Sequence, residues 1–145
     1  MSTKHPIKNY MTDSPRTIGE DIPLSKALEM MLEHEIRHLP VQWGGKLVGL
    51  LTDRDVKLAL TVHPSAKDLK VSDVMTEDPY AVSSDCPLEQ VASEMAKNKY
   101  GCAIIENEQG RAVWIFTAVD GIRLLGEWLK ANGKSESPGS LPNLT

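Results

Sequence analysis

The chain has 145 residues, 41% of them hydrophobic and 25% charged, and a net charge of −4. That fits one compact domain or two small, intimately packed ones, with enough apolar content to bury a core. No block of consecutive basic residues argues for a nucleic-acid partner, no apolar run approaches the roughly 18 residues of a membrane span, and Met1 to Pro6 lacks the apolar stretch of a signal peptide, so a cytoplasmic location is expected.

In chain order, the turn Met11-Thr12-Asp13-Ser14-Pro15 leads into a short β-prone stretch, Arg16-Thr17-Ile18. Pro23 suits the first turn of a helix, with Asp21 just ahead. Leu24, Ala27, Leu28, Met31, Leu32 and Ile36 then fall at helical spacing, and their methionines read as core packing. Two strands follow, His38 to Gln42 and Lys46 to Leu51, joined by the tight turn Gly44-Gly45. They are nearly continuous apolar runs, as expected when both faces are covered. A second helix runs from Asp53 to about Leu60, and residues 63–70 form a linker.

The order then starts again. Met75-Thr76-Glu77-Asp78-Pro79 matches the first turn at an offset of 64, as do Val82 with Ile18, Asp85 with Asp21, Pro87-Leu88 with Pro23-Leu24, and Met95 with Met31. Ile115-Phe116-Thr117 matches Leu50-Leu51-Thr52 at an offset of 65, so the second copy holds one extra residue, placed in the turn Glu106 to Gly110. The second copy has a β-prone Tyr80-Ala81-Val82 and a helix carrying Leu88, Val91, Ala92, Met95, Ala96 and Tyr100. Strands Cys102 to Glu106 and Ala112 to Phe116 follow, then a helix from Ala118 to about Lys130. The expected fold class is α/β (α+β), as tandem β-α-β-β-α units at residues 6–62 and 71–132. Residues 133–145, rich in Ser, Pro and Gly, read as a disordered tail. One unit of this size buries little core alone; two packed face to face complete one another. Cys86 and Cys102 form no C-x-x-C pair, match no zinc spacing and read as small apolar residues in a reducing compartment.

This organisation resembles the CBS-domain pair, the repeat named after cystathionine β-synthase. The first copy carries the resemblance in Met11-Thr12-x-x-Pro15, Ile36-Arg37-His38-Leu39-Pro40-Val41 and Gly49-Leu50-Leu51-Thr52-Asp53-Arg54-Asp55-Val56. The second carries it in Val71-Ser72-Asp73-Val74-Met75-Thr76 and Thr117-Ala118-Val119-Asp120-Gly121. The resemblance implies a pseudo-twofold regulatory module with two clefts that hold AMP, ADP, ATP or S-adenosylmethionine. It also implies no catalysis, no required cofactor, Mg2+ as an optional companion of the nucleotide, a homodimer, and an effector that is a separate chain.

Thr52-x-x-Asp55 and Thr117-x-x-Asp120 each stand where a strand hands over to a helix. Each can be a capping box, the hydroxyl accepting from the backbone three residues on and the acid reaching back. The same geometry suits a ribose phosphate, the carboxylate taking a sugar diol and the helix N-terminus a phosphate. By resemblance, the first cleft combines Thr52 and Asp55 with Tyr80, Val82 and Tyr100. The second combines Thr117 and Asp120 with Arg16, Ile18 and Ile36. Arg37, His38, Arg54 and Arg123 are candidates to meet phosphate charge. Gly49 precedes the first signature, where a backbone can approach a ligand closely. Trp114 takes that place in the second copy, which favours the Asp55 cleft as the occupied one.

Two other readings stand beside this one. In the first, the Thr-x-x-Asp pairs are caps only and the module serves dimerisation or docking without a ligand. In the second, His34-Glu35-Ile36-Arg37-His38 matches the H-E-x-x-H zinc-hydrolase motif, although Leu39-Pro40 directly follows the second histidine.

Overall fold

The computed structural model describes residues 5–11, 14–63, 65 and 68–133. Thr12 and Asp13 of the first turn, part of the 63–70 linker, and the expected tail from 134 onward lie outside the described residues. The first unit contains β1 (Ile18–Gly19), α1 (Leu24–His34), β2 (His38–Trp43), β3 (Lys46–Thr52) and α2 (Asp53–Val62). The second contains α3 (Val71–Val74), β4 (Thr76–Glu77), β5 (Ala81–Ser83), α4 (Leu88–Asn98), β6 (Cys102–Glu106), β7 (Ala112–Thr117) and α5 (Ala118–Asn132). A 3-10 turn, Ile7–Tyr10, opens the described chain. The fold is mixed α/β, with two small sheets in the orders β1-β2-β3-β4 and β5-β6-β7.

Local chemistry explains the repeated pattern. Pro23 and Pro87 sit immediately before α1 and α4, their fixed φ leading the chain into the first turn. Both helices end on a non-glycine residue in the left-handed region, Glu35 at φ 53° and Lys99 at φ 59°. The next amide closes each end, Ile36 N–H donating to Met31 O at 3.0 Å and Tyr100 N–H to Met95 O at 2.9 Å. Ile36 and Tyr100 therefore leave the helix they were expected to extend. β6 is buried nearly throughout, as its apolar run suggests, whereas β3 alternates at its centre between buried and half-buried residues.

The two units exchange their leading segments. Ile7 N–H donates to Cys86 O at 2.9 Å, and its counterpart Val71 N–H donates to Ile22 O at 2.9 Å. Leu88 N–H donates to His5 O at 2.7 Å, and its counterpart Leu24 N–H donates to Leu69 O at 2.8 Å. Ile7 is fully buried in the core of the second unit with Val91, Ala103, Ile105 and Phe116. Val71 is fully buried in the core of the first with Leu24, Leu39, Leu51 and Val56. Burying a Val or Ile side chain stabilises by about 2 kcal/mol, so each unit depends on the other's lead. β4 extends the exchange, pairing antiparallel with β3 through Gly49–Glu77 and Leu50–Thr76.

Gly49 owes its identity to that strand. A Cβ there would lie 2.5 Å from Met75 Sδ and 3.0 Å from the Thr76 carbonyl oxygen. The sequence reading gave the close approach to a ligand; here β4 and its methionine occupy it. Trp114 is turned away from the expected cleft. It packs against the second core, while Ile115, pointing to the other face of β7, lines a cavity.

Candidate functional site

The largest described cavity, about 1030 Å3, lies between the units at the N-terminus of α5. Arg16, Ile36 and His38 line it from the first unit, Ile115, Asp120 and Arg123 from the second. Of the residues expected at this cleft, Arg16, Ile36 and Asp120 are therefore brought together, with His38 and Arg123 beside them. Ile18 is not on the wall: at 6% exposure it belongs to the first core.

Thr117 caps α5. Its hydroxyl accepts from Asp120 N–H at 3.2 Å, and Asp120 Oδ2 accepts from Thr117 N–H at 2.9 Å, completing a capping box. Asp120 Oδ1 accepts from Arg123 Nη2 at 2.6 Å. The acid is thus held at the mouth of a fifteen-residue helix whose unpaired first amides favour negative charge. Among the described lining residues, Arg16 from the first unit and Arg123, paired with Asp120 on α5, set two guanidinium groups against one carboxylate.

His38 begins β2, opposite Thr52. Its ring stands over Gly101 of the second unit, where a Cβ would come within 2.9 Å of Nε2. Burial pushes its pKa below the usual histidine value, Asp53 opposing and Arg37 reinforcing that effect. Arg37 itself is exposed, and its carbonyl accepts from Asp53 N–H at 3.0 Å.

On the other side, the expected partners are not gathered around Asp55. Thr52 accepts from Asp55 N–H at 3.1 Å, giving half of the capping box. Asp55 lines a shallower groove of about 300 Å3 with Leu58, Val62, His63, Leu69 and Asp73. Arg54 is exposed on α2. Tyr80 and Tyr100 stack on one another, centroids 5.2 Å apart, and Val82 packs against the second core. The preference for the Asp55 cleft thus runs against the cavity geometry. Tyr80 and Tyr100 occupy the positions of Arg16 and Ile36; the aromatic pair stacks on itself, whereas the arginine and the isoleucine line the cavity. Each half of that comparison was visible in the sequence, but the stacking was not.

The zinc reading fails on backbone grounds. α1 stops at His34, Glu35 turns left-handed, and His38 is already in a strand, so the two histidines are not one helical turn apart. Among the described residues no group of three or more His, Cys, Asp or Glu is placed to hold a metal ion. Cys102 is buried in the sheet and its thiol pushed up to about 12, in keeping with a packing role.

The CBS domain family model matches residues 7–62 and again 71–126. Among curated proteins, the chain is 30% identical over 121 residues to L-aspartate semialdehyde sulfurtransferase of Methanocaldococcus jannaschii, covering 83% of this chain and 23% of that protein. It is 34% identical over 104 residues to inosine-5'-monophosphate dehydrogenase of Korarchaeum cryptofilum, covering 72% of this chain and 21% of that one. The chain thus spans under a quarter of the length of either enzyme. Among solved structures, the CBS domain pair of protein MJ0100 in complex with 5'-methylthioadenosine and S-adenosyl-L-methionine superposes with TM-score 0.77 at 29% identity, over 85% of this chain and 97% of that one. An uncharacterized conserved protein from Pyrococcus horikoshii superposes with TM-score 0.73 at 30% identity, over 86% and 95% of the two chains. With two matched repeats spanning most of its length and a superposable fold, the chain belongs to the CBS domain family, as two CBS domains in tandem.

Proposed function

We propose that this chain is a regulatory module that binds an adenine nucleotide or related adenosyl compound in the cleft containing Asp120, without catalysis of its own. The observation that carries the reading is the open cavity of about 1030 Å3 lined by Arg16, Ile36, His38, Asp120 and Arg123. Its volume suits a nucleoside with its substituents. Ile36 and Ile115 offer apolar contact for a base, Asp120 an acceptor for a diol, and the α5 N-terminus with its arginines a seat for negative charge. Pro40 bears on a further polar group, the Arg16 carbonyl. Its second-unit counterpart, Ile104, donates its N–H to Tyr80 O at 2.9 Å. Pro40 has no N–H to give, so the Arg16 carbonyl lacks the partner that Tyr80 O has in the second unit. The MJ0100 pair, 29% identical, carries adenosyl compounds in its crystal structure.

Occupancy regulates by shifting the balance between two arrangements of the repeats or of a dimer, to the extent that the ligand binds them unequally. The dimer partner is a second copy. α2 and α5, equivalent in the two repeats, expose Leu58, Val62, Ile122, Leu125 and Trp128, and a twofold contact would use the same surface on both subunits.

Calorimetric titration with AMP, ADP, ATP and S-adenosylmethionine tests the proposal. Wild type binds at least one of them, and the double substitution Arg16→Tyr, Ile36→Tyr, which installs the aromatic pair of the other cleft, weakens binding at least tenfold. No binding by wild type at millimolar concentration overturns it. A specific observation favours the ligand-free alternative: both Asp120 oxygens are already engaged, one in the cap and one by Arg123. On that alternative Asp120→Ala lowers stability and changes no ligand response.

A further inference from the structure

The two hairpin turns meet at the end of the strands remote from the Thr-x-x-Asp caps. Lys46 opens β3 and Arg111 immediately precedes β7, whereas Thr52 and Thr117 close those strands, about 20 Å away at the rise of an extended chain. The turns repeat one residue pair at the offset of 65, Gly45-Lys46 and Gly110-Arg111, and both glycines are left-handed, at φ 78° and 80°. Each basic side chain is laid on the other repeat's glycine. A Cβ at Gly45 would lie 3.2 Å from Arg111 Nη2, and one at Gly110 would lie 3.8 Å from Lys46 Cγ. Two hydrogen bonds tie the turns together, Leu47 N–H donating to Gly110 O at 2.8 Å and Ala112 N–H to Gln42 Oε1 at 3.1 Å. Between the turns is a notch of about 420 Å3, lined by Gly44, Gly45, Lys46, Asn107, Gln109 and Arg111. We infer that this notch is a docking surface for an acidic peptide segment of a protein partner. The inference does not depend on the adenosyl-binding reading above.

Charge selects the partner. Lys46 and Arg111 are exposed, and neither has an ion-pair partner among the described residues. Glu106 and Glu108 stand in the same turn as Arg111 but do not line the notch. In a chain of net charge −4, two cations, one from each repeat, are thus offered to carboxylates at a spacing the joined turns fix. Trp43 makes the partner a peptide rather than a free anion. It is 58% exposed, and as the residue paired with Lys46 across β2 and β3 it shares the face of the hairpin that carries the lysine. The corresponding turn, Glu106 to Arg111, holds no aromatic residue, so the hairpin itself does not demand the indole. Tryptophan and arginine together are the residues that carry most of the energy of protein interfaces. A free phosphate would use the cations and leave the indole in water. The surface is also held ready: Asn107 Oδ1 accepts from Gln109 N–H and from Arg111 N–H, both at 3.0 Å, which fixes the turn bearing Arg111 and spares binding part of its ordering cost.

The test is fluorescence anisotropy, at low and at physiological salt, with three short labelled peptides. The first alternates glutamate and glycine around a central tryptophan, the second has glutamine for glutamate, and the third has alanine for tryptophan. Wild type is expected to bind the first at least about fivefold tighter than the second, an advantage that shrinks as salt is raised. Lys46→Gln combined with Arg111→Gln is expected to remove that advantage, and Trp43→Ala to remove the preference for tryptophan over alanine. Lys46→Glu combined with Arg111→Glu is expected to reverse the choice in favour of a peptide with lysine for glutamate, a gain that misfolding cannot mimic. Equal binding of the acidic and glutamine peptides by wild type overturns the inference, as does an acidic preference that survives in the double glutamine variant. Pyrophosphate bound more tightly than the acidic peptide, with Trp43→Ala indifferent to both, assigns the notch to a free anion and overturns it. A wild-type dimer that the double glutamine variant loses in sedimentation assigns the notch to a second copy of the chain and overturns it as well.

Discussion

Gly49→Ala isolates the contact through which one repeat closes on the other. The added methyl would sit 2.5 Å from Met75 Sδ, 3.1 Å from Met75 Cγ and 3.0 Å from the Thr76 carbonyl. Met75 is a flexible side chain and can swing aside, at the expense of its packing against the first core. The Thr76 carbonyl cannot move so easily, because Leu50 and Thr76 are paired across β3 and β4. Overpacking of this kind costs about 1–3 kcal/mol. A loss near 2 kcal/mol lowers the melting temperature by about 6 °C in a chain of this length. Urea and thermal unfolding followed by circular dichroism measure both quantities. Met75→Ala, combined with Gly49→Ala, relieves the sulfur overlap, so the two losses should fall short of additive by about 1 kcal/mol. Gly49→Ala within about 0.5 kcal/mol of wild type would refute the packing account and return the glycine to the ligand role its sequence position first suggested.

Three further outcomes follow from the same geometry. Tyr80→Phe is expected to hold or raise stability by about 1 kcal/mol, since the Tyr80 hydroxyl is buried with no hydrogen-bond partner among the described residues; a clear loss in urea unfolding would mean that the hydroxyl is satisfied. Thr117→Ala removes the hydroxyl half of a complete capping box, whereas Thr52→Ala removes a single bond; losses of about 1.5 and about 1 kcal/mol are expected in that order, and a reversed order would contradict the difference between the two caps. Because burial lowers the His38 pKa, the folded state binds fewer protons there than the unfolded chain; the stabilisation is complete above about pH 6.5 and is lost as pH falls through that value towards the folded pKa. Urea midpoints between pH 5 and 8 should therefore slope less steeply in His38→Gln than in wild type, and parallel slopes would remove His38 from the acid response.

Much of the architecture was legible because it is periodic or local. The offset of 64 between the Met-Thr turns, the prolines ahead of each first helix, the helical stripes and the Thr-x-x-Asp caps all arise from residues a few positions apart. Such patterns survive in one dimension because backbone geometry imposes them before any long-range contact forms. The repeat also carried the prospect of two units sharing a core, since a half-size unit buries too little alone.

Only the tertiary structure decided that the larger cavity lies at Asp120 and not at Asp55. Tyr80 and Tyr100 are 20 residues apart in the chain, as are Arg16 and Ile36, and nothing in either spacing says that the first pair stacks while the second lines a cavity between the units. The same holds for Trp114, turned to the core by strand alternation, and for Gly49, kept small by a methionine from the next repeat. Spacing along a chain encodes which face a residue shares with its near neighbours; it does not encode what the other half of the molecule brings against that face, and in this protein that meeting shapes the cleft.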